Sequence, residues 1–257
     1  NGYRIEINDR LKKEQNSEKI YFVGGSVTSG SGVKQSDTFS GILNKKFINF
    51  DIINSSVVGS NLINNFHIIN LISQNDLRNI FINFSLDDLS GLDEILNESE
   101  VINHKKNNIN DNKLLNNSLT FKLKNNFLIV EFNKFIRSKS ATYVWLKGYF
   151  LNSQENYYNH ALLSFKNKEN LIGLNKVLND IIQLNNSKFE DKIVFLNIPY
   201  SHQITNGNCK KQDIAEKIIH DYLKKSKIEL VKFKKVFLND KNKEKIFLKF
   251  DPSHLSP

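Results

Sequence analysis

Apolar residues in this chain gather into short unbroken runs, separated by stretches in which they recur every three or four positions. Runs rich in β-branched and aromatic residues at 20–23, 52–58, 80–84 and 193–198 predict buried strands, and a weaker run at 228–233 predicts a fifth. Strands covered on both faces read as continuous apolar runs, whereas strands with one wet face alternate. Between the runs, Leu62, Ile63, Phe66, Ile69 and Ile72 share one helical face. Leu171, Leu174, Leu178, Ile181 and Ile182 form a second face, and Ile214, Ala215, Ile218, Ile219, Tyr222 and Leu223 a third. Strand and helix alternate, which predicts an α/β fold: a three-layer α/β/α sandwich around a parallel sheet of about five strands.

One stretch breaks the rhythm. Residues 97–126 are crowded with Asn and Lys, and a loop of that length in a compact domain is either functional or disordered. After it, residues 127–135 and 141–150 regain apolar character and predict helix. There is no internal repeat and no Pro/Gly-rich linker; the three prolines are Pro199, Pro252 and Pro257. The expectation is one domain over residues 1–257 with a polar insertion, a length that buries a single substantial core. Methionine is absent even from position 1, so the chain reads as a domain excised from a longer one, any signal or anchor lying outside it.

Composition narrows the partners. A formal charge of +9 raises nucleic acid as a candidate, yet the lysines are scattered among Asn and Ile. All three residues are encoded by A/T-rich codons, and codon bias accounts for the charge without a nucleic-acid partner. The 19 phenylalanines sit mostly at apolar-periodic positions, as core residues do, rather than forming a stacking platform. No run of 18 apolar residues is present to span a bilayer. Cys209 is the single cysteine, which excludes an intrachain disulfide and a cysteine-based metal site.

Candidate chemistry lies at the two ends. Gly24-Gly25-Ser26 follows the first strand directly, at the carboxyl end where open parallel sheets bind ligands. Ser26 is either a helix-capping residue in a tight turn or a nucleophile. A phosphate-binding loop is excluded, because neither Gly-x-x-x-x-Gly-Lys-Ser/Thr nor Gly-x-Gly-x-x-Gly is satisfied. Near the other end, Asp251 and His254 stand three residues apart, so the carboxylate can orient the imidazole locally. A serine hydroxyl needs such a base, and the base needs a partner that fixes its tautomer. Among the other histidines, His67 and His220 fall on helical patterns and His104 in the insertion, while His160 and His202 lack an acid at comparable spacing.

In these segments the chain resembles the SGNH hydrolase superfamily of GDSL-like esterases and acyltransferases. Gly24-Gly25-Ser26-Val27-Thr28-Ser29-Gly30 is similar to the first sequence block, with Gly25 where Asp is usual. Gly59, in Asn54-Ser-Ser-Val-Val-Gly59, matches the glycine of the second block, Ser85-Leu86-Asp87-Asp88 stands at the third, and Asp251-Pro-Ser-His254 matches the last. The resemblance implies a flavodoxin-like fold and ester hydrolysis or acyl transfer through an acyl-enzyme. Ser26 would be the nucleophile, His254 the base and Asp251 its orienting acid, with oxyanion contacts from Ser26, Gly59 and position 87. It implies a small acyl ester as substrate, such as an O-acetyl group on a glycan, and no metal or organic cofactor.

Position 87 departs from the pattern, because the family carries Asn there and an ionised Asp accepts hydrogen bonds rather than donating them. Three readings follow. Burial holds Asp87 protonated, or Asn61 or Asn83 supplies the missing amide, or the site is impaired and the domain serves to bind or assemble glycans. Asp87, Asp88 and Asp93 read as acids favoured at helix starts rather than as metal ligands. Pro199-Tyr200-Ser-His202-Gln203 after the fourth strand is similar to a Pro-Tyr-x-x-Gln stretch of SGNH domains in bacterial surface-polysaccharide systems, or else is an ordinary turn. On the first reading Tyr200, His202 and Gln203 are candidate substrate contacts.

Overall fold

The computed structural model describes residues 18–75, 79–96, 154–189, 193–205, 214–224, 226–248 and 253–256. The polar insertion, the two helices expected at 127–135 and 141–150, Cys209 and Asp251 lie outside the described residues.

Five strands form the sheet: β1 (Glu18–Val23), β2 (Phe50–Asn54), β3 (Asn79–Phe84), β4 (Ile193–Asn197) and β5 (Glu229–Lys232). Their order is β2-β1-β3-β4-β5, and every neighbouring pair is parallel, with Phe22 opposite Asn54, Val23 opposite Ile82 and Phe84 opposite Asn197. The winding reverses between β1 and β3, which opens a crevice beyond the carboxyl ends of those two strands. β2 and β5 are the outer strands, and no residue of β5 is fully buried, which accounts for its weaker apolar signal.

Helices cover both faces. They are α1 (Ser26–Ser29), α2 (Phe39–Lys46), α3 (Leu62–Asn75), α4 (Gln154–Leu162), α5 (Lys168–Leu184), α6 (Ser201–Thr205), α7 (Ile214–Leu223) and α8 (Lys234–Asn239). Successive strand residues point to opposite faces, so β1 divides its side chains. Tyr21 and Val23 join a core with Ile80 and Ile82 of β3, Leu62 and Ile69 of α3, Leu174 and Leu178 of α5, and Ile219 and Leu223 of α7. Phe22 points the other way, stacked on Phe81 and edge-on to Phe39 of α2.

The second strand is shorter than its apolar run. It ends at Asn54, after which the chain runs on beside β1, with the N–H of Ser55 donating to Phe22 O (2.8 Å) and that of Val57 to Gly24 O (3.0 Å). Val57 and Val58 are exposed, at 51% and 65%, in the turn that carries Gly59. Two apolar residues at the crevice rim therefore extend the sequence pattern without extending the sheet.

The segment after β3 is pinned from below by α5. Asn170 accepts from Leu92 N–H and donates to Leu89 O, both at 2.9 Å. Gly173 lies so close that a Cβ there would stand 1.8 Å from Leu92 O. This clamps the short helical turns Asp87–Leu89 and Leu92–Ile95 over the crevice.

Candidate active site

β1 delivers the chain through buried Val23 to Gly24 and Gly25, and Ser26 opens α1. Gly25 takes the capping position with no side-chain cap, so the Ser26 hydroxyl is not used to end the helix. It lies 2.8 Å from His254 Nε2. The capping alternative for Ser26 is thereby set aside. The turn is fixed from within, because Ser26 O accepts from Ser29 Oγ (2.9 Å) and from the N–H of Ser31 (3.2 Å).

His254 is held by a short antiparallel clasp. Phe247 bridges Leu255, the N–H of Leu248 donates to His254 O at 2.9 Å, and that of Ser256 to Ile246 O at 2.8 Å. The backbone thus fixes where the imidazole starts, and Ser253 beside it is buried.

Next to Ser26 lies a cleft of about 350 Å³, lined among others by Gly59, Asn61, Asp87, Asp88 and Ser90. Neither the N–H of Ser26 nor that of Gly59 has an acceptor among the described residues. Unengaged backbone donors of this kind beside a hydroxyl can bind a tetrahedral oxyanion. Across the cleft from the sheet, Ser60 Oγ lies 3.0 Å from Gly24 O and 3.1 Å from the Oδ1 of fully buried Asn65, tying the Gly59 turn to β1 and α3.

The paired acids divide their roles. Asp87 Oδ1 accepts from the hydroxyls of Tyr200 (2.6 Å) and Ser85 (2.7 Å), and the Asp87 N–H donates back to Tyr200 at 3.0 Å. Tyr200 is wholly buried, and burial, then the charge of Asp87, holds its phenol far above the ordinary range, so it remains a donor. Among the described acids, Asp88 is the one whose pKa burial raises clearly. Its Oδ2 accepts from Ser85 N–H at 2.9 Å and lies 3.1 Å from Ser85 Oγ. Its pKa is raised from 3.8 to about 7, by burial first and the neighbouring Asp87 charge second, against the lowering effect of the Ser85 bonds. The burial-driven rise in pKa thus falls on Asp88, the second acid of the pair.

Of the two amides expected as replacements, Asn61 reaches the cleft and Asn83 does not. Asn61 Oδ1 caps α3 by accepting from the N–H groups of Ile63 and Asn64 at 3.1 Å, and its Nδ2 donates to Ser90 O at 3.4 Å. Asn83 is buried within β3. Tyr200, His202 and Gln203 are buried too, at 0%, 6% and 5%. Gln203 Oε1 accepts from Tyr200 N–H at 2.8 Å, the His202 ring packs 5.3 Å from Tyr158, and Tyr200 meets the cleft only through Asp87.

Sequence reasoning read Asp88 only as an acid favoured at a helix start, and assigned no role to Ser85 or Ser60. One signal was available: two acids follow the buried third strand closely, with Ser85 between strand and acids offering a donor.

No family model matches the chain, and no curated protein matches it. Among solved structures, the chain is similar to a member of the lipolytic protein G-D-S-L family from Veillonella parvula, at 13% identity over 93% of this chain and 90% of that one, with a TM-score of 0.48. It is also similar to AlinE4, an SGNH-hydrolase family esterase, at 14% identity over 94% and 88%, with a TM-score of 0.44. A third is a catalytic mutant of Axe2, an acetylxylan esterase from Geobacillus stearothermophilus, at 10% identity over 95% and 89%, with a TM-score of 0.40. The fold is defined by the strand order 2-1-3-4-5 itself, all parallel and covered by helices.

Proposed function

We propose that this chain is an SGNH-type serine hydrolase or acyltransferase that acts on a small acyl ester. The observation that supports it most is the 2.8 Å contact between Ser26 Oγ and His254 Nε2, set beside the unengaged N–H groups of Ser26 and Gly59. In this reading Ser26 Oγ attacks the acyl carbonyl while His254 Nε2 takes its proton. The carbonyl oxygen becomes an oxyanion held by the N–H groups of Ser26 and Gly59. His254 then returns the proton to the leaving alcohol, the ester C–O bond breaks, and the acyl group stays on Ser26. A water or a second hydroxyl reverses the sequence and frees the enzyme. Asp251 orients His254 and stabilises its cation. A polar cleft lined by Asn61, Asp87 and Ser90 suits an ester on a polyhydroxylated alcohol. An O-acetylated glycan is the substrate class favoured here, and the Pro199–Gln203 resemblance to bacterial surface-polysaccharide domains points the same way.

Turnover of p-nitrophenyl acetate and labelling by a fluorophosphonate probe test this directly. Native protein should label at Ser26 and turn over, and Ser26→Ala should do neither. Absence of labelling, or turnover equal in the variant, favours the second reading, a glycan-binding module. That reading draws on Asp87, an acceptor where the family carries an amide donor.

A further inference from the structure

The hydrolase reading leaves one contact unfilled. Two backbone donors face the oxyanion, the usual side-chain donor is absent from position 87, and Asp87 is already committed to the hydroxyls of Tyr200 and Ser85. Asp88 is placed to fill the gap. It lines the cleft, and its Oδ1 lies against Gly25, 2.3 Å from where a Cβ on that residue would stand. The Gly25 carbonyl carbon is bonded to the nitrogen whose N–H is the first oxyanion donor. Gly25 thus leaves room for a carboxyl that any larger residue would displace.

The two oxygens of Asp88 are inequivalent. Oδ2 accepts from the backbone N–H of Ser85, as the carbonyl oxygen of a neutral carboxyl does, whereas Oδ1 has no partner among the described residues. We propose that Asp88 is a catalytic residue: in its carboxylic acid form it donates an Oδ1–H hydrogen bond to the oxyanion, in the role of the absent amide. This rests on the hydrolase reading and extends it.

Burial of Asp88 favours its protonated form, and the charge of Asp87 on the same turn reinforces this. Among the described residues, the other titratable groups facing this point are Tyr200, which reaches it through Asp87, and His254 across Ser26. The turn leading into α3 contributes Ser60 and Asn61, and α5 contributes Asn170, none of which titrates. A neutral donor adds no charge opposite the developing oxyanion. Once ionised, the same carboxylate repels it. Activity therefore needs Asp88 protonated and His254 neutral, which gives an alkaline decline starting near pH 7 in addition to the acid limb of the histidine.

The experiment measures kcat and KM for p-nitrophenyl acetate, with the rate of fluorophosphonate labelling of Ser26, from pH 5.5 to 9. Native protein should lose about tenfold in kcat per pH unit on the alkaline side, as the protonated fraction falls. Asp88→Asn keeps a neutral donor on the same scaffold and should lose that decline, so that it exceeds the native protein at pH 9. Asp88→Ala should lose roughly 10²–10³ in kcat at pH 6 with little change in KM. An unchanged alkaline decline in Asp88→Asn, or native kcat in Asp88→Ala, overturns the role of Asp88 while labelled Ser26 keeps the hydrolase reading. If Asp88→Ala does not fold, the pH profile of Asp88→Asn decides. No labelling of native Ser26 at any pH overturns both.

Discussion

The Ser26 hydroxyl and the His254 ring nitrogen stand 2.8 Å apart across a separation of 228 residues in the chain. One is carried by the turn after β1, the other by a clasp in which Phe247 bridges Leu255. The sheet and that clasp must both form before the pair exists.

Removing either member should stop the chemistry and spare the fold. Ser26→Ala and His254→Ala are each expected to lower kcat by about 10⁴-fold or more, and Asp251→Asn by a comparable factor. Urea midpoints of the Ser26 and His254 variants should stay close to native, because both side chains are only partly buried. A variant that retains native turnover would remove its residue from the mechanism.

Gly25→Ala tests the close approach of Asp88. The new methyl would start 2.3 Å from Asp88 Oδ1, so either the carboxyl or the turn must move. Overpacking of this kind costs about 1–3 kcal/mol, and here the displaced groups adjoin the nucleophile. Stability and kcat should both fall. In a double-mutant cycle with Asp88→Ala the two losses should be less than additive, since the second change removes the obstacle. Strict additivity would mean that the two residues do not touch.

Stability should depend on pH through Asp88 in a definite direction. Below pH 3.8 the folded and unfolded chains both hold the proton, and burial of the neutral acid carries no ionic penalty. Between 3.8 and about 7 the unfolded chain releases the proton and the folded one keeps it, so stability falls as pH rises. Above that window the whole penalty is present, on the order of 4 kcal/mol. Asp88→Asn should therefore raise the urea midpoint over native at pH 8 and have little effect at pH 3.5. An equal difference at both pH values would contradict the assignment.

Tyr200→Phe isolates the support beneath the acids. It removes the 2.6 Å bond to Asp87 Oδ1 and the acceptor for the Asp87 N–H, in a place without solvent. A loss of about 1–3 kcal/mol is expected from the groups left unpaired. Calorimetry would show it as a lowered Tm. An unchanged Tm would mean that water replaces the phenol.

The strands were legible because burial on both faces leaves unbroken apolar runs, and the helices because one face of each is apolar. Legibility failed where apolar residues serve another purpose. Val57 and Val58 extend the second run yet sit on the crevice rim, half or more exposed. Tyr200, His202 and Gln203 follow a strand as substrate contacts would, yet in the fold they are buried. Position after a strand sets the end of the sheet at which a residue lies, whereas packing decides whether it faces the cleft.

By itself the sequence determined the parallel sheet, its helical layers, and the pairing of Ser26 with His254 as candidates, because periodicity and local spacing are properties of the chain. It could not tell which of Asp87 and Asp88, adjacent in sequence and chemically identical, would be the more deeply buried. Tertiary structure decided that. Tyr200, arriving 113 residues later, turns its hydroxyl to Asp87, while burial first and the charge of Asp87 second raise the pKa of Asp88 to about 7, against the Ser85 hydrogen bonds that lower it. Desolvation and hydrogen bonding depend on what surrounds a group in space, and that environment exists only in the folded chain.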